Sequence, residues 1–276
     1  SSGYGIVGMA TGATAQAYGI DNSAAGSAVE IKNDGLINVA GNNAIGIYAD
    51  DNKGVALNEI TIANNNKITV AGDKSVGIAL RDSIGSGDGG VITLTGTGSS
   101  DIVTGTNGTG IYAENSQVNL NTNYGIETKD GGVGIYLKNS ILPTNTTFEY
   151  KYSGSTSGRG IGIVFDKLNA TNNTNLSLVN STATTGGMVG IFANGGGTFI
   201  NNGTITGSST AKEFGIIGEN TDIDNRAAIT FGHATNIASP NIALYTKTNN
   251  LITNSSNLTL GDNSIGIYGY AVNNSG

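Results

Sequence analysis

Apolar residues in this chain alternate with polar residues or glycine in short runs, and the runs repeat. Residues 45–50 read IGIYAD, 109–114 TGIYAE, 133–138 VGIYLK and 265–270 IGIYGY. An apolar residue at every second position over four to six residues is the pattern of a β-strand with one buried face. Aligned on its glycine, the phrase recurs at Gly46, Gly77, Gly110, Gly134, Gly162, Gly190, Gly215 and Gly266, with Ala243 once in the glycine's place. Earlier copies stand at Gly5 and Gly19. The steps from Gly46 onward average about 27 residues, a period that marks a solenoid, propeller or array. The next position is the most regular in the chain: Ile47, Ile78, Ile111, Ile135, Ile163, Ile191, Ile216, Leu244 and Ile267. No stretch carries a sustained 3.6-residue stripe, so helices are expected to be nearly absent.

Each period holds further strands. VEIKNDGLINVAG from Val29, EITIANNNKITVAG from Glu59 and TFINNGTITG from Thr198 each read strand, Asn/Asp/Gly turn, strand. Asn and Gly suit such turns because they tolerate positive φ at least cost. Three short strands and three turns use up one period, which is one coil of a parallel β-helix. The expected fold is therefore all-β, a right-handed parallel β-helix of roughly ten coils, forming one unit over residues 1–276. At strand spacing the rod would be on the order of 50 Å long. The phrase recurs because each inward isoleucine must sit on that of the preceding coil. Propeller blades need a longer period, and a β-sandwich would not repeat its sequence. The longer steps place insertions at 81–108 and 138–158. The second contains Pro143, Tyr150 and Tyr152 and is expected to be an extra strand pair or a flap, with both tyrosines as candidate partner-binding residues.

Composition narrows the function classes. Glycine is abundant (44) and proline scarce (2), which argues against a Pro/Gly linker. The 13 Lys and Arg are scattered singly and the formal net charge is −7, so no nucleic-acid partner is expected. The chain has no cysteine and hence neither disulfides nor thiolate metal sites. No apolar run is long enough for a membrane-spanning helix. The chain opens on Ser-Ser without a leader-like stretch and reads as a piece of something longer. Open coil edges at both ends lead us to expect a monomer with edge-to-edge association at high concentration.

GIYAENS, VGIYLKNS and VGIFAN, together with FINNGTITG, resemble the passenger region of large fusobacterial type V autotransporter adhesins, over essentially the whole chain. The resemblance implies an extracellular β-helical passenger on a bacterial surface, anchored by an outer-membrane barrel elsewhere in the parent. It implies adhesion to surface proteins or glycans of host cells or partner bacteria, without a cofactor. Two other readings share the fold: a structural spacer with recognition elsewhere, and a polysaccharide-degrading enzyme.

Catalytic chemistry has little support in the residues. His233 is the only histidine, and no Gly-x-Ser-x-Gly elbow is present. GSGDGG at 85–90 leads into VITLTGTG, a strand and not a phosphate-binding helix. Asp51 and Asp82 share a repeat position with Asn115, Asn139 and Asn220, which reads as a turn ladder. DIDNR, with Asp222, Asp224 and Arg226, is a second acidic cluster, read first as a turn and then as a weak cation site. A stripe of rings remains. Two residues past the aligned glycine stand Tyr48, Tyr112, Tyr136, Phe192, Tyr245 and Tyr268. With the isoleucines inward, these rings and the glycines should face outward, an aromatic ligand or partner surface beside a glycine groove. Otherwise the rings fold over the glycines and shield the sheet backbone.

Overall fold

A computed structural model describes residues 19–21, 29–51, 60–82, 90–180, 187–207, 212–234, 237, 239–247 and 249–276. Among them every named element is a β-strand, and the strands pair in parallel along three walls. One wall has ten strands, from Gly19–Asp21 to Ser264–Tyr268. A second has nine, from Ile37–Val39 to Leu258–Leu260. The third is divided into four strands ending at Gln117–Leu120 and five beginning at Thr171–Asn172. This is a parallel β-helix. Fewer coils are complete than the ten expected. The pass through Ile141 and Leu142 makes only isolated bridges, to Gln117 and Asn172, and the last described coil has no strand on the nine-stranded wall.

The isoleucine column forms as the repeat demands. Ile47, Ile78, Ile111, Ile135, Ile163, Ile191, Ile216, Leu244 and Ile267 follow one another in register along the ten-stranded wall. From Ile78 to Leu244 they are 0% exposed. Fully burying such a side chain is worth roughly 1.5–3 kcal/mol over leaving it in water. A lone coil offers no such burial, so each coil completes the core of its neighbours. The earliest described copy enters differently: Gly19 pairs with Tyr48 and Ile20 with Ala49, not glycine with glycine. The copy at Gly5 lies outside the described residues.

The aligned glycines do not face outward. A Cβ on Gly77 would lie 2.6 Å from Cγ2 of Ile102, and one on Gly110 2.5 Å from Cγ2 of Ile126. Both isoleucines are core residues of the nine-stranded wall. Each glycine thus turns its bare Cα inward, where the carbonyl of the next coil's glycine also approaches. Two consecutive residues, Gly and Ile, then point inward, and the apolar residue before them is driven outward. Val76, Val133, Ile161, Val189 and Phe214 are accordingly only half-buried.

The supposed flap is wall. Thr147–Tyr152 pairs with Tyr124–Thr128 and with Asn175–Asn180. Its alternation points Phe148, Tyr150 and Tyr152 inward, each 0% exposed, so Tyr150 and Tyr152 are core and not partner surface. Their hydroxyls find internal partners, as buried tyrosines must: Tyr150 bonds to Thr128 Oγ1 at 2.7 Å, and Tyr152 donates to Asp130. Within 81–108, Val91–Leu94 and Ile102–Thr104 are likewise ordinary wall strands, while 83–89 lie outside the described residues.

At one corner runs a buried asparagine column that the repeat did not advertise. The Asn172 amide donates to Asn201 Oδ1 (2.9 Å), Asn201 to Asn225, Asn225 to Asn254 and Asn254 to Asn274 (2.8 Å each). Each amide also donates to the carbonyl two residues on, at Thr174, Gly203, Ala227 and Ser256. A shorter copy runs from Asn33 to Asn64 (2.7 Å) and ends on the Tyr124 hydroxyl (2.9 Å).

Candidate functional site

The outer face of the ten-stranded wall carries columns of side chains one coil apart. Tyr48, Tyr112, Tyr136, Phe192, Tyr245 and Tyr268 occupy a single column, interleaved with Ala79, Val164 and Ile217. The rings are half-buried except Tyr268, which is 57% exposed. Beside them runs the second outward apolar column created by the inward glycines, with Val189, Phe214 and Ile242 in register. The expected neighbour of the rings was a glycine groove. The actual neighbour is branched and aromatic carbon.

The ring column divides into two halves. In the first, each hydroxyl is tied to a carboxylate: Tyr48 to Asp50 (2.7 Å), Tyr112 to Glu114 (2.9 Å) and Tyr136 to Asp166 (3.0 Å). Tyr112 and Tyr136 stack at 5.6 Å between centroids. Partial burial, then the adjacent carboxylate, raises all three phenols, Tyr136 to about 12. These rings lie over the sheet as a shield. Next to them Asp50, Arg81, Glu114, Lys138 and Asp166 succeed one another with alternating charge. Glu114 accepts from Arg81 Nε (3.0 Å) and Lys138 Nζ (2.7 Å).

Desolvation pushes the Glu114 carboxyl up, but hydrogen bonds from Lys138, Tyr112 and Arg81 together prevail and hold it below its usual range. A lowered folded value gives stability that is present above the unfolded value and lost as pH falls through the folded one. Glu114→Gln is therefore expected to flatten the acid limb of thermal unfolding below about pH 4. An acid limb that overlays the parent's would show that this triad contributes nothing.

In the second half the rings are not tied in this way. Phe192 has no hydroxyl, and Tyr245 stacks on Tyr268 (5.5 Å, 17°) and meets Phe214 edge-on (6.4 Å, 73°). The Lys212 ammonium lies 5.3 Å from the Phe214 ring centroid. Between the two apolar columns lies a groove of about 310 Å³, lined by Arg159, Gly187, Val189, Phe214, Ile217, Ile242 and Tyr245.

The remaining candidates are occupied by structural contacts. Asn115, Asn139 and Asn220 adopt φ of 51°, 46° and 54°, the turn ladder expected at that repeat position, whereas Asp51 and Asp82 are not turn residues but end the strands Ile45–Asp51 and Val76–Asp82 and pair in register. In DIDNR, Arg226 Nη2 lies 2.5 Å from Asp224, and Asp222 accepts the Leu251 amide (2.8 Å). His233 is exposed, and its Nδ1 accepts the Asp262 amide (2.9 Å). Of the GSGDGG stretch only Gly90 is described. Among the described residues no three His, Asp or Glu side chains converge to hold a metal ion. Comparison with protein-family models, with curated proteins and with solved structures gave no match.

Proposed function

We propose that this β-helix is a non-catalytic adhesin segment that binds through the second half of its ten-stranded wall. The observation that carries the reading is the doubled apolar column around Phe192, Phe214 and Tyr245, where half-exposed rings are not committed to neighbouring carboxylates. Rings on a flat, rigid sheet offer large contact area at low entropy cost. The sequence resemblance to fusobacterial autotransporter passengers supports the same reading. With it come an extracellular location on a bacterial surface, an anchoring barrel elsewhere in the parent, and host-cell or bacterial surface proteins or glycans as partners. A spacer role is favoured by one specific observation, the tethered hydroxyls of Tyr48, Tyr112 and Tyr136, which suit shielding better than binding.

The test separates the halves. The immobilised chain is expected to retain partner bacteria or host cells, and a Phe192→Ser/Phe214→Ser/Tyr245→Ser variant to lose most of that retention. Tyr112→Ser/Tyr136→Ser should keep it. Circular dichroism confirms that each variant still folds. Retention that survives the first set moves the binding surface off the second half of the wall, and retention absent from the parent chain leaves the rod a spacer.

A further inference from the structure

We infer that the groove between the two apolar columns takes an acidic sugar, a pyranose ring bearing a carboxylate. The inference deepens the adhesion reading and rests on it. The groove is lined by Arg159, Val189, Phe214, Ile217, Ile242 and Tyr245, and its volume of about 310 Å³ sits at the small end of ligand sites, roughly 300–1,000 Å³. That suits one or two sugar rings better than a folded epitope.

Three features select the ligand's chemistry. The first is shape. Phe214 and Tyr245 stand at 73° to each other, 6.4 Å between centroids, forming a floor and a wall. A pyranose presents a flat C–H face to one ring and an edge to the other. The second is charge. The chain carries a net −7, yet among the described residues no acidic side chain lines the groove. Arg159 is exposed, and neither it nor Lys212 has a carboxylate partner among the described residues. A guanidinium without a partner at the edge of apolar rings matches a carboxylate in bidentate geometry. The third is what the backbone withholds. Gly160–Asp166, Met188–Ala193, Glu213–Gly218 and Asn241–Thr246 are each flanked by strands on both sides. No sheet edge is open there for an extended peptide to join, so recognition must run through side chains. A sugar needs only those; a peptide would leave its own amides unsatisfied against this wall.

The experiment titrates the whole chain with oligogalacturonate and with sialyllactose, each beside its carboxyl-reduced counterpart, followed by calorimetry. At least one acidic sugar should bind, and its reduced form should bind at least about tenfold more weakly, the scale of a charge-assisted hydrogen bond. Arg159→Gln should reproduce that loss, and because Arg159 is exposed and unpaired the fold is not at risk. Equal binding of the neutral forms, or of poly-glutamate as tightly as the sugars, overturns the inference. So does a lack of binding by both acidic sugars. If cells are still retained in that last case, adhesion stands and only the ligand class falls. Sugar binding without cell retention leaves the groove assigned and removes the adhesion reading.

Discussion

Replacing Gly134 with alanine is expected to destabilise the rod by about 3 kcal/mol, the upper end of the usual cost of overpacking a core. The added methyl would lie 2.5 Å from the Gly162 carbonyl oxygen of the next coil and 3.0 Å from both Phe148 Cζ and Tyr150 Cδ2. The first contact is with backbone in the middle of the ten-stranded wall, which yields only if the two coils separate. The other two are with rings that are 0% exposed and have no room to retreat. Gly266→Ala is the matched control. Its nearest neighbours would be Leu258 Cδ1 at 3.6 Å and Leu260 Cδ1 at 3.9 Å, ordinary contacts. That substitution is expected to fall within about 0.5 kcal/mol of the parent. Urea unfolding of the two variants decides the matter. Equal midpoints would show that the glycines do not point into the core.

The contrast between these glycines explains what the sequence allowed to be read. Period and alternation identified the inward Ile111, Ile135 and Ile163 because every coil repeats the same burial at the same position. The same alternation misplaced the glycine. A residue without a side chain leaves no mark of which way it faces, and two consecutive inward residues break the period of two. Tyr150 and Tyr152 were misread for another reason. The segment around Pro143 replaces a strand of the third wall and lengthens the step to the next coil, which reads as an insertion even though the alternation in TFEYKY marks a wall strand. The division of the ring column was partly legible. Tyr48-Ala-Asp50 and Tyr112-Ala-Glu114 place an acid two residues beyond the phenol, on the same face, whereas Phe192 is followed there by Asn194 and Tyr245 by Lys247. Tyr136 escapes that rule because its carboxylate, Asp166, comes from the next coil.

The buried asparagines were mistaken for turn residues, and Asn225 shows the cost of that reading. Turn propensity accounts for Asn at a corner but not for Asn that is 0% exposed at a strand end. Asn225→Leu would orphan three groups at once: the Asn201 amide that donates to it, the Asn254 Oδ1 that accepts from it, and the Ala227 carbonyl. A buried polar group left without a partner costs about 1–3 kcal/mol, so a loss near 4 kcal/mol is expected. Asn274→Ala, at the exposed end of the same column, should cost under about 1 kcal/mol, since water can replace its one contact. Asn225→Asp makes the sharper comparison. It keeps an acceptor for Asn201 but sets a carboxylate oxygen against the Ala227 carbonyl and Asn254 Oδ1, so the introduced carboxyl favours its protonated form and its folded pKa rises. Stability from a raised value is present below the unfolded pKa and lost as pH climbs through the folded one. The Asn225→Asp variant should therefore gain stability on acidification, opposite in sign to the Glu114 effect. A variant that is equally stable from pH 4 to 8 would mean water reaches the column, and that the ladder fixes the stacking of the coils without contributing to their stability.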